Sequence, residues 1–309
     1  MTAQNSCDGY GSFCGEIRAG KSAFGLSVNV VYFFLMARTL FVTDLDGTLL
    51  RGDRTLSQFT VRTIRSLIER GILITYATAR TFQSAFELTN QIDFRLPVIT
   101  RNGTVIASQV LKKEIRVHSF ETPQIRSLKN LVSGTLERTG FVTAYFDGKM
   151  QKTFVRHEHS SGMRRYIEEH SRDNQMSEVS DTDALFGGTV SYITMIDSHS
   201  ALRPLHQKIK DAGDWECNFQ KDNYSDDFWL EIFPKNATKA KAALELKAEL
   251  ECDRLVVFGD GLNDISMFAV ADESCAVANA EEEVKRAATK IIPGNEDDGV
   301  AKYLLEAVE

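Results

Sequence analysis

From residue 39 onward, apolar and polar positions alternate in blocks. "TLFVTDLD" is an apolar, β-branched run that ends at a loop, the pattern of a strand buried on both faces of a parallel sheet. "TLSQFTVRTIRSLIERG" follows with Phe59, Ile64, Leu67 and Ile68 at helical spacing, Ser57 at the N-cap position and Gly71 closing the helix. "ILITYATAR" reads as the next strand, "TFQSAFELTNQI" as a helix, and "LPVITRNGTVI" as a strand and turn. Strand-helix-strand repeats of this length predict a parallel sheet with helices on both faces. Such sheets bind ligands beyond the carboxyl ends of their strands, so the residues just after each strand are where chemistry is expected.

The texture changes over residues 117–226. "GFVTAYFDGKMQKTFV" reads as a hairpin turning at Asp147-Gly148, "TVSYITMID" as a further strand and "HSALRPLHQKIKDAG" as a helix. "SRDNQMSEVSDTDALFGG" reads as a polar loop, and Trp215, Phe228 and Trp229 as core residues. After "FWLEIFP" the α/β alternation resumes with the helix "TKAKAALELKAELE", the strand and loop "RLVVFGDGLND" and the helix "ISMFAVAD". The expected class is α/β: a Rossmann-like parallel-sheet core over 39–116 and 227–309, with an α+β cap over 117–226 inserted into it.

Residues 1–38 form an N-terminal extension of different texture. "LSVNVVYFFLMA" is apolar but about a dozen residues long, short for a membrane span. Three readings fit: a disordered extension, a signal-like h-region behind Arg18 and Lys21, or untranslated sequence before a true start at Met36. The length of 309 residues suffices for two domains, and 43% apolar with 26% charged residues is ordinary for a folded soluble chain. A net charge of −7 leaves no basic footprint for nucleic acid. The five cysteines, Cys7, Cys14, Cys217, Cys252 and Cys275, form no CxxC pair and no dense framework, which fits a reducing, cytoplasmic setting without stable membrane association. Nothing in the sequence sets an oligomeric state.

Four places at strand ends and helix starts carry polar residues of a coherent kind. They are Asp44 and Asp46 in "FVTDLDGTLL", Thr78 and Arg80 in "YATAR", Lys239 in "NATKAKAAL", and Asp260, Asn263 and Asp264 in "GDGLND". A nucleophile, an acid/base, anion donors, a cation and further carboxylates make an inventory for phosphoryl transfer, which depends on positioning and charge neutralisation. Each piece alone is weak. Asp-x-Asp is by default a solvated turn, Lys239 a surface lysine, and Thr78 a strand-end hydroxyl. "GDGLND" lacks the spacing of an EF-hand loop, and the "HEH" of residues 157–159 reads as a solvated loop.

Taken in order, however, the four motifs resemble the haloacid dehalogenase superfamily of phosphatases. "TRNGTVI", "VANAEEEVKRAA" and "EDDGVAKYLL" resemble its Cof-type subfamily with a type C2 cap. The resemblance runs from about residue 39 to the C-terminus and implies roles position by position. Asp44 is the nucleophile that becomes an aspartyl-phosphate, and Asp46 the acid/base. Thr78, Gly47, Arg80 and Asn263 face the phosphate, and Lys239 holds Asp44 and the phosphate by charge. Asp44, Asp260 and the backbone carbonyl of Asp46 bind Mg²⁺, supported by Asp264. Mg²⁺ prefers oxygen ligands and would offset repulsion among these carboxylates.

The implied function is a Mg²⁺-dependent phosphatase of a small phosphorylated metabolite, with a sugar phosphate favoured. A phosphomutase of phosphomannomutase type and a non-catalytic metabolite-binding protein remain as alternatives. The segments around Tyr145 to Lys152 and Asn218 to Tyr224 are the expected cap contacts. Arg101 departs from the small residue expected before Asn-Gly in this family, and substrate contact and solvent exposure stand as equal readings for it.

Overall fold

A computed structural model describes residues 38–146, 149–172, 175–222 and 225–308. The extension up to residue 37, the Met36 start and the Asp147-Gly148 turn lie outside the described residues. Strand β1 (Thr39–Thr43) leads into helix α1 (Gln58–Glu69), β2 (Leu73–Tyr76), α2 (Phe82–Thr89) and β3 (Val98–Thr100). A tight turn at Arg101–Gly103 opens β4 (Val105–Ser108), and β5 (Lys113–Val117) follows. Next come α3 (Thr122–Thr139), β6 (Gly140–Phe146), β7 (Lys149–Val155), α4 (Ser161–Glu169), β8 (Met176–Val179) and α5 (Thr182–Leu185). β9 (Thr189–Asp197), α6 (His199–Ala212), β10 (Trp215–Lys221) and β11 (Phe228–Pro234) complete that stretch. The chain closes with α7 (Lys239–Glu249), β12 (Arg254–Gly259), α8 (Ile265–Phe268), β13 (Glu273–Val277), α9 (Glu282–Ala287), β14 (Lys290–Ile292) and α10 (Gly299–Val308).

The core sheet runs β14-β13-β12-β1-β2, and every pairing in it is parallel. Within it β1 lies between β12 and β2 and is apolar on both faces. Leu40, Phe41 and Val42 are buried between β12 and β2, so "TLFVT" has no face to give to water. Helix α1 starts where Ser57 accepts a hydrogen bond from Thr60 N–H, and Gly71 follows it with a left-handed φ of 88°. It packs on α10, while α7 packs on α8 and the 101–103 turn. "LPVITRNGTVI" becomes β3 and β4 of a small antiparallel sheet, β3-β4-β5, tied to β2 through a parallel bridge from Ala77 to Ile99.

The cap is a six-stranded sheet in the order β10-β11-β9-β6-β7-β8, with an apolar cluster of Val142, Ala144, Ile193, Met195, Leu230 and Ile232 on one face. The expected β6–β7 hairpin is present, pairing Phe146 with Lys149 at its end. Two details differ from the sequence reading. β11, assigned above to the core from residue 227 onward, lies between β10 and β9 and belongs to the cap sheet. The polar stretch read as loop contains β8 and α5; among the described residues β8 is an edge strand paired only with β7, so it carries no apolar alternation to reveal it. Among the described residues no helix is long and apolar enough to cross a membrane.

Candidate active site

Three adjacent parallel strands deliver their last residues to one edge. Asp44 N–H donates to the Phe258 carbonyl and Ala77 N–H to the Thr43 carbonyl, each at 2.9 Å, so β12, β1 and β2 end in register. Asp44, Thr78 and Asp260 therefore emerge side by side. Thr238 caps α7 by accepting from Lys241 N–H, which sets Lys239 in the first turn. Its ammonium donates to Asp44 Oδ1 at 2.6 Å and to Asp264 Oδ1 at 2.8 Å. With 1% of its side chain exposed, Lys239 is a core residue by burial and a salt-bridge hub by chemistry. Burial alone would lower its pKa, but the charges of Asp264 and Asp44 outweigh that and hold it above the ordinary lysine value.

Asp264 is fully engaged. Its Oδ2 accepts from the backbone N–H of Asp260 and of Gly261, both at 3.1 Å, and so shapes the loop that presents Asp260. Asp260 is steadied by Thr48, whose hydroxyl donates to Oδ1 at 2.6 Å. One carboxylate oxygen from each of Asp44, Asp260 and Asp264 lies within 4.8 Å of the others. Burial pushes the Asp44 carboxyl well up, against the pull of Lys239 and with added repulsion from Asp264, Asp260 and Asp46. Burial likewise pushes Asp260 up to about 7, despite its Thr48 hydrogen bond. Three buried or partly buried carboxylates around one ammonium leave negative charge in excess, and a divalent cation bound by oxygen would offset it. The donor set fits such an ion.

Two glycines make the geometry feasible. Gly47 has φ +77°, and a Cβ there would stand 2.2 Å from Asp260 Oδ2. Gly103 has φ +100°, and a Cβ there would stand 2.3 Å from the Thr238 carbonyl. The Asn-Gly pair thus lets the 101–103 turn touch the start of α7, and with it Lys239.

Asp46 is held differently. Arg80 Nε donates to its Oδ2 at 2.6 Å and Nη2 to its Oδ1 at 2.5 Å, while Nη1 donates to Ser84 at 2.9 Å. The guanidinium expected at the phosphate is therefore turned onto the second aspartate. Thr78 accepts from Arg80 N–H at 3.2 Å. Asp44, Asp46, Thr78, Arg80, Asp260 and Asn263 all line one cleft of about 1150 Å³.

The cap supplies the opposite wall. Thr143 on β6 pairs with Lys152 on β7 and with Tyr192 on β9, which puts all three side chains on one face. Lys152, Tyr192, Glu231, Trp229 and Lys221 from this sheet line the cleft. Of the expected cap contacts, Lys152 and Phe219–Lys221 reach it, while Asn223 and Tyr224 lie outside the described residues. Phe228 and Trp229, expected in the core, also line it.

Sequence reasoning missed the joint between the two halves. Asn102 Nδ2 donates to the Tyr192 hydroxyl at 2.7 Å and to Glu231 Oε2 at 3.3 Å, and its Oδ1 accepts from Asn263 at 3.3 Å. It missed Thr48 too, although the Thr of "DGT" was a visible signal. Asn279, whose Nδ2 donates to the Gly47 carbonyl at 2.7 Å, was a third. Arg101 is settled against solvent: it is 4% exposed, and its guanidinium carbon lies 5.9 Å from the centre of the Tyr192 ring.

Comparison with known proteins places the chain in a family. A family model described as haloacid dehalogenase-like hydrolase matches residues 41–304, and the chain belongs to that family. It is similar to 5-amino-6-(5-phospho-D-ribitylamino)uracil phosphatase YitU of Bacillus subtilis, 24% identical over 86% of this chain and 96% of the relative. It is also similar to phosphoglycolate phosphatase of Methanopyrus kandleri, 24% identical over 88% of this chain and 97% of the relative. Among solved structures, a subclass IIB sugar phosphatase of the superfamily superposes with a TM-score of 0.66 at 20% identity, covering 87% of this chain and 98% of the other. The chain is accordingly a hydrolase of the phosphatase kind, with a Rossmann-like core and a separate cap.

Proposed function

We propose that the protein is a Mg²⁺-dependent phosphatase that hydrolyses a small phosphorylated metabolite, a sugar phosphate foremost, through an aspartyl-phosphate on Asp44. The observation that carries this is the convergence of Asp44, Asp264 and Lys239 within hydrogen-bond distance, with Asp260 beside them, at the mouth of the cleft. The Asp44 carboxylate attacks phosphorus as the bond to the leaving oxygen breaks, and Asp46 gives that oxygen its proton. Asp46 then takes a proton from water, the water oxygen attacks the acyl phosphate, and phosphate leaves with Asp44 restored. Because Arg80 occupies both oxygens of Asp46, one of these hydrogen bonds opens when Asp46 carries the proton. Lys239 keeps Asp44 aimed, and Thr78 and Asn263 face the phosphoryl group.

Asp44, Asp260 and the Asp46 carbonyl would hold Mg²⁺, with Asp264 behind them. When bound, the ion neutralises charge on the transferring group. The phosphorylated substrates named for the two relatives support a small, polar leaving group, and the cysteine pattern supports a cytoplasmic setting.

The test is phosphate release from an aryl phosphate with Mg²⁺. Asp44→Asn should lower it by at least about a thousandfold, with the fold intact by circular dichroism. Wild-type turnover in that variant would overturn the nucleophile assignment. Isomerised sugar phosphate in place of free phosphate would identify a phosphomutase, and binding without turnover across a broad panel of esters would identify a metabolite-binding protein.

A further inference from the structure

Arg101 carries two features that are costly in the absence of a ligand. Its Nε and Nη2 are buried without a hydrogen-bond partner among the described residues, although the residue lines the cleft. Unmet buried donors are unfavourable, most of all on a charged group. Its backbone is also left-handed, at φ +49°, a conformation that glycine adopts freely and arginine does not. Two such features at one residue facing a ligand cleft point to a partner that arrives with the ligand.

The edge formed by Nε and Nη2 presents two parallel N–H donors that match the paired oxygens of a carboxylate or phosphate. The same edge of Arg80 grips both oxygens of Asp46 in this molecule. Nη1 of Arg101 is directed elsewhere, donating to Thr143 at 3.5 Å. Glu114 and Glu231 both feel its charge, yet neither supplies an acceptor to Nε or Nη2. Lys152, opposite Thr143 in the sheet, brings a second buried cation to the same wall.

We propose that Nε and Nη2 of Arg101 bind a second oxyanion of the substrate, a carboxylate or a second phosphate on the leaving group, while the phosphoryl to be transferred sits at Asp44. This rests on the phosphatase reading and narrows its substrates to phosphomonoesters that bear another anionic group.

The experiment compares wild type, Arg101→Gly and Arg101→Lys on p-nitrophenyl phosphate, glucose 6-phosphate, phosphoglycolate, 3-phosphoglycerate and fructose 1,6-bisphosphate. Wild type should favour the last three. On them Arg101→Gly should lose about a hundredfold in kcat/KM, mainly through KM, and on p-nitrophenyl phosphate less than about threefold. Its melting temperature should not fall, since glycine relieves the backbone. Arg101→Lys, which keeps charge without the fork, should recover only part of the loss. Preference for the carboxylates or for the bisphosphate identifies which oxyanion the site takes.

Equal losses on all esters, or no wild-type preference for a second anion, would overturn the proposal, and so would full activity of the lysine variant. A wild type that turns over no ester overturns the phosphatase reading instead. The Arg101 assignment is then decided by calorimetric binding of phosphonoacetate against methylphosphonate. A preference below about threefold, or one that Arg101→Gly leaves unchanged, rejects it.

Discussion

The two walls of the cleft handle charge in opposite ways. On the core wall the charged and polar groups hold one another before any substrate arrives: Lys239 joins Asp44 to Asp264, Asp264 holds the loop of Asp260, Thr48 braces Asp260, and Arg80 clamps Asp46. On the other wall, where the 101–103 turn meets the cap sheet, a buried guanidinium keeps two donors without partners among the described residues. Preorganised groups suit a step shared by many substrates, because dipoles and charges aimed at the transferring group need no rearrangement at the moment of reaction. Donors left open suit discrimination between substrates, because only the right ligand satisfies them. On the proposed reading, the chemistry falls to one wall and the choice of substrate to the other.

The comparison breaks most sharply at Lys239. Lys239→Met removes the cation between two buried carboxylates and should destabilise the fold by about 3 kcal/mol, since an uncompensated buried charge remains. It should also reduce kcat for an aryl phosphate by about a thousandfold. Urea unfolding and steady-state kinetics check both. A variant as stable and active as wild type would mean that the core wall is not held together by its own charges.

How far each wall is legible in the sequence follows from how local its signals are. The core strands announce themselves because β1 is apolar on both faces and each site residue lies within a few positions of a strand end or helix cap. The cap reads less well. "FWLEIFP" looks the same whether it pairs in one sheet or the other, and only contact with β9 and β10, in the folded chain, assigns it. "MSEV" is hidden because an edge strand buries little. The joint from Asn102 to Tyr192 and Glu231 spans 90 and 129 residues, beyond any periodicity. The Arg80–Asp46 clamp spans 34 residues, and a motif names both residues without saying which acceptor the guanidinium chooses. Arg101 was visible as an anomaly, but its burial was not.

A smaller effect sharpens the core wall. Thr48→Val removes the hydroxyl that holds Asp260 and leaves a side chain of similar size. Losing such an orienting partner should weaken Mg²⁺ binding about ten- to a hundredfold, with kcat at saturating Mg²⁺ changed less. A Mg²⁺ titration of activity measures this. Unchanged affinity would mean that Asp260 is placed by its backbone alone.

The smallest expected effect is on pH. Burial raises Asp260 from an ordinary 3.8 to about 7, and Asp44 moves in the same direction. In the metal-free protein the unfolded chain ionises Asp260 first, so its contribution to stability declines as pH rises from about 4 to about 7 and levels off above that. Binding a divalent cation would require Asp260 ionised, so through Asp260 it should release a proton below pH 7 and none well above it. Through Asp260, affinity should therefore fall by about fivefold between pH 7 and pH 6 and change little above pH 8. Calorimetry in two buffers of different ionisation enthalpy reads the proton release directly. Thr48→Val, which also removes the hydrogen bond that opposes the shift, should move the break to higher pH. Proton release that is absent at pH 6 would show that the carboxylates of the core wall are already ionised without the metal, and that the excess charge there is offset by the protein alone.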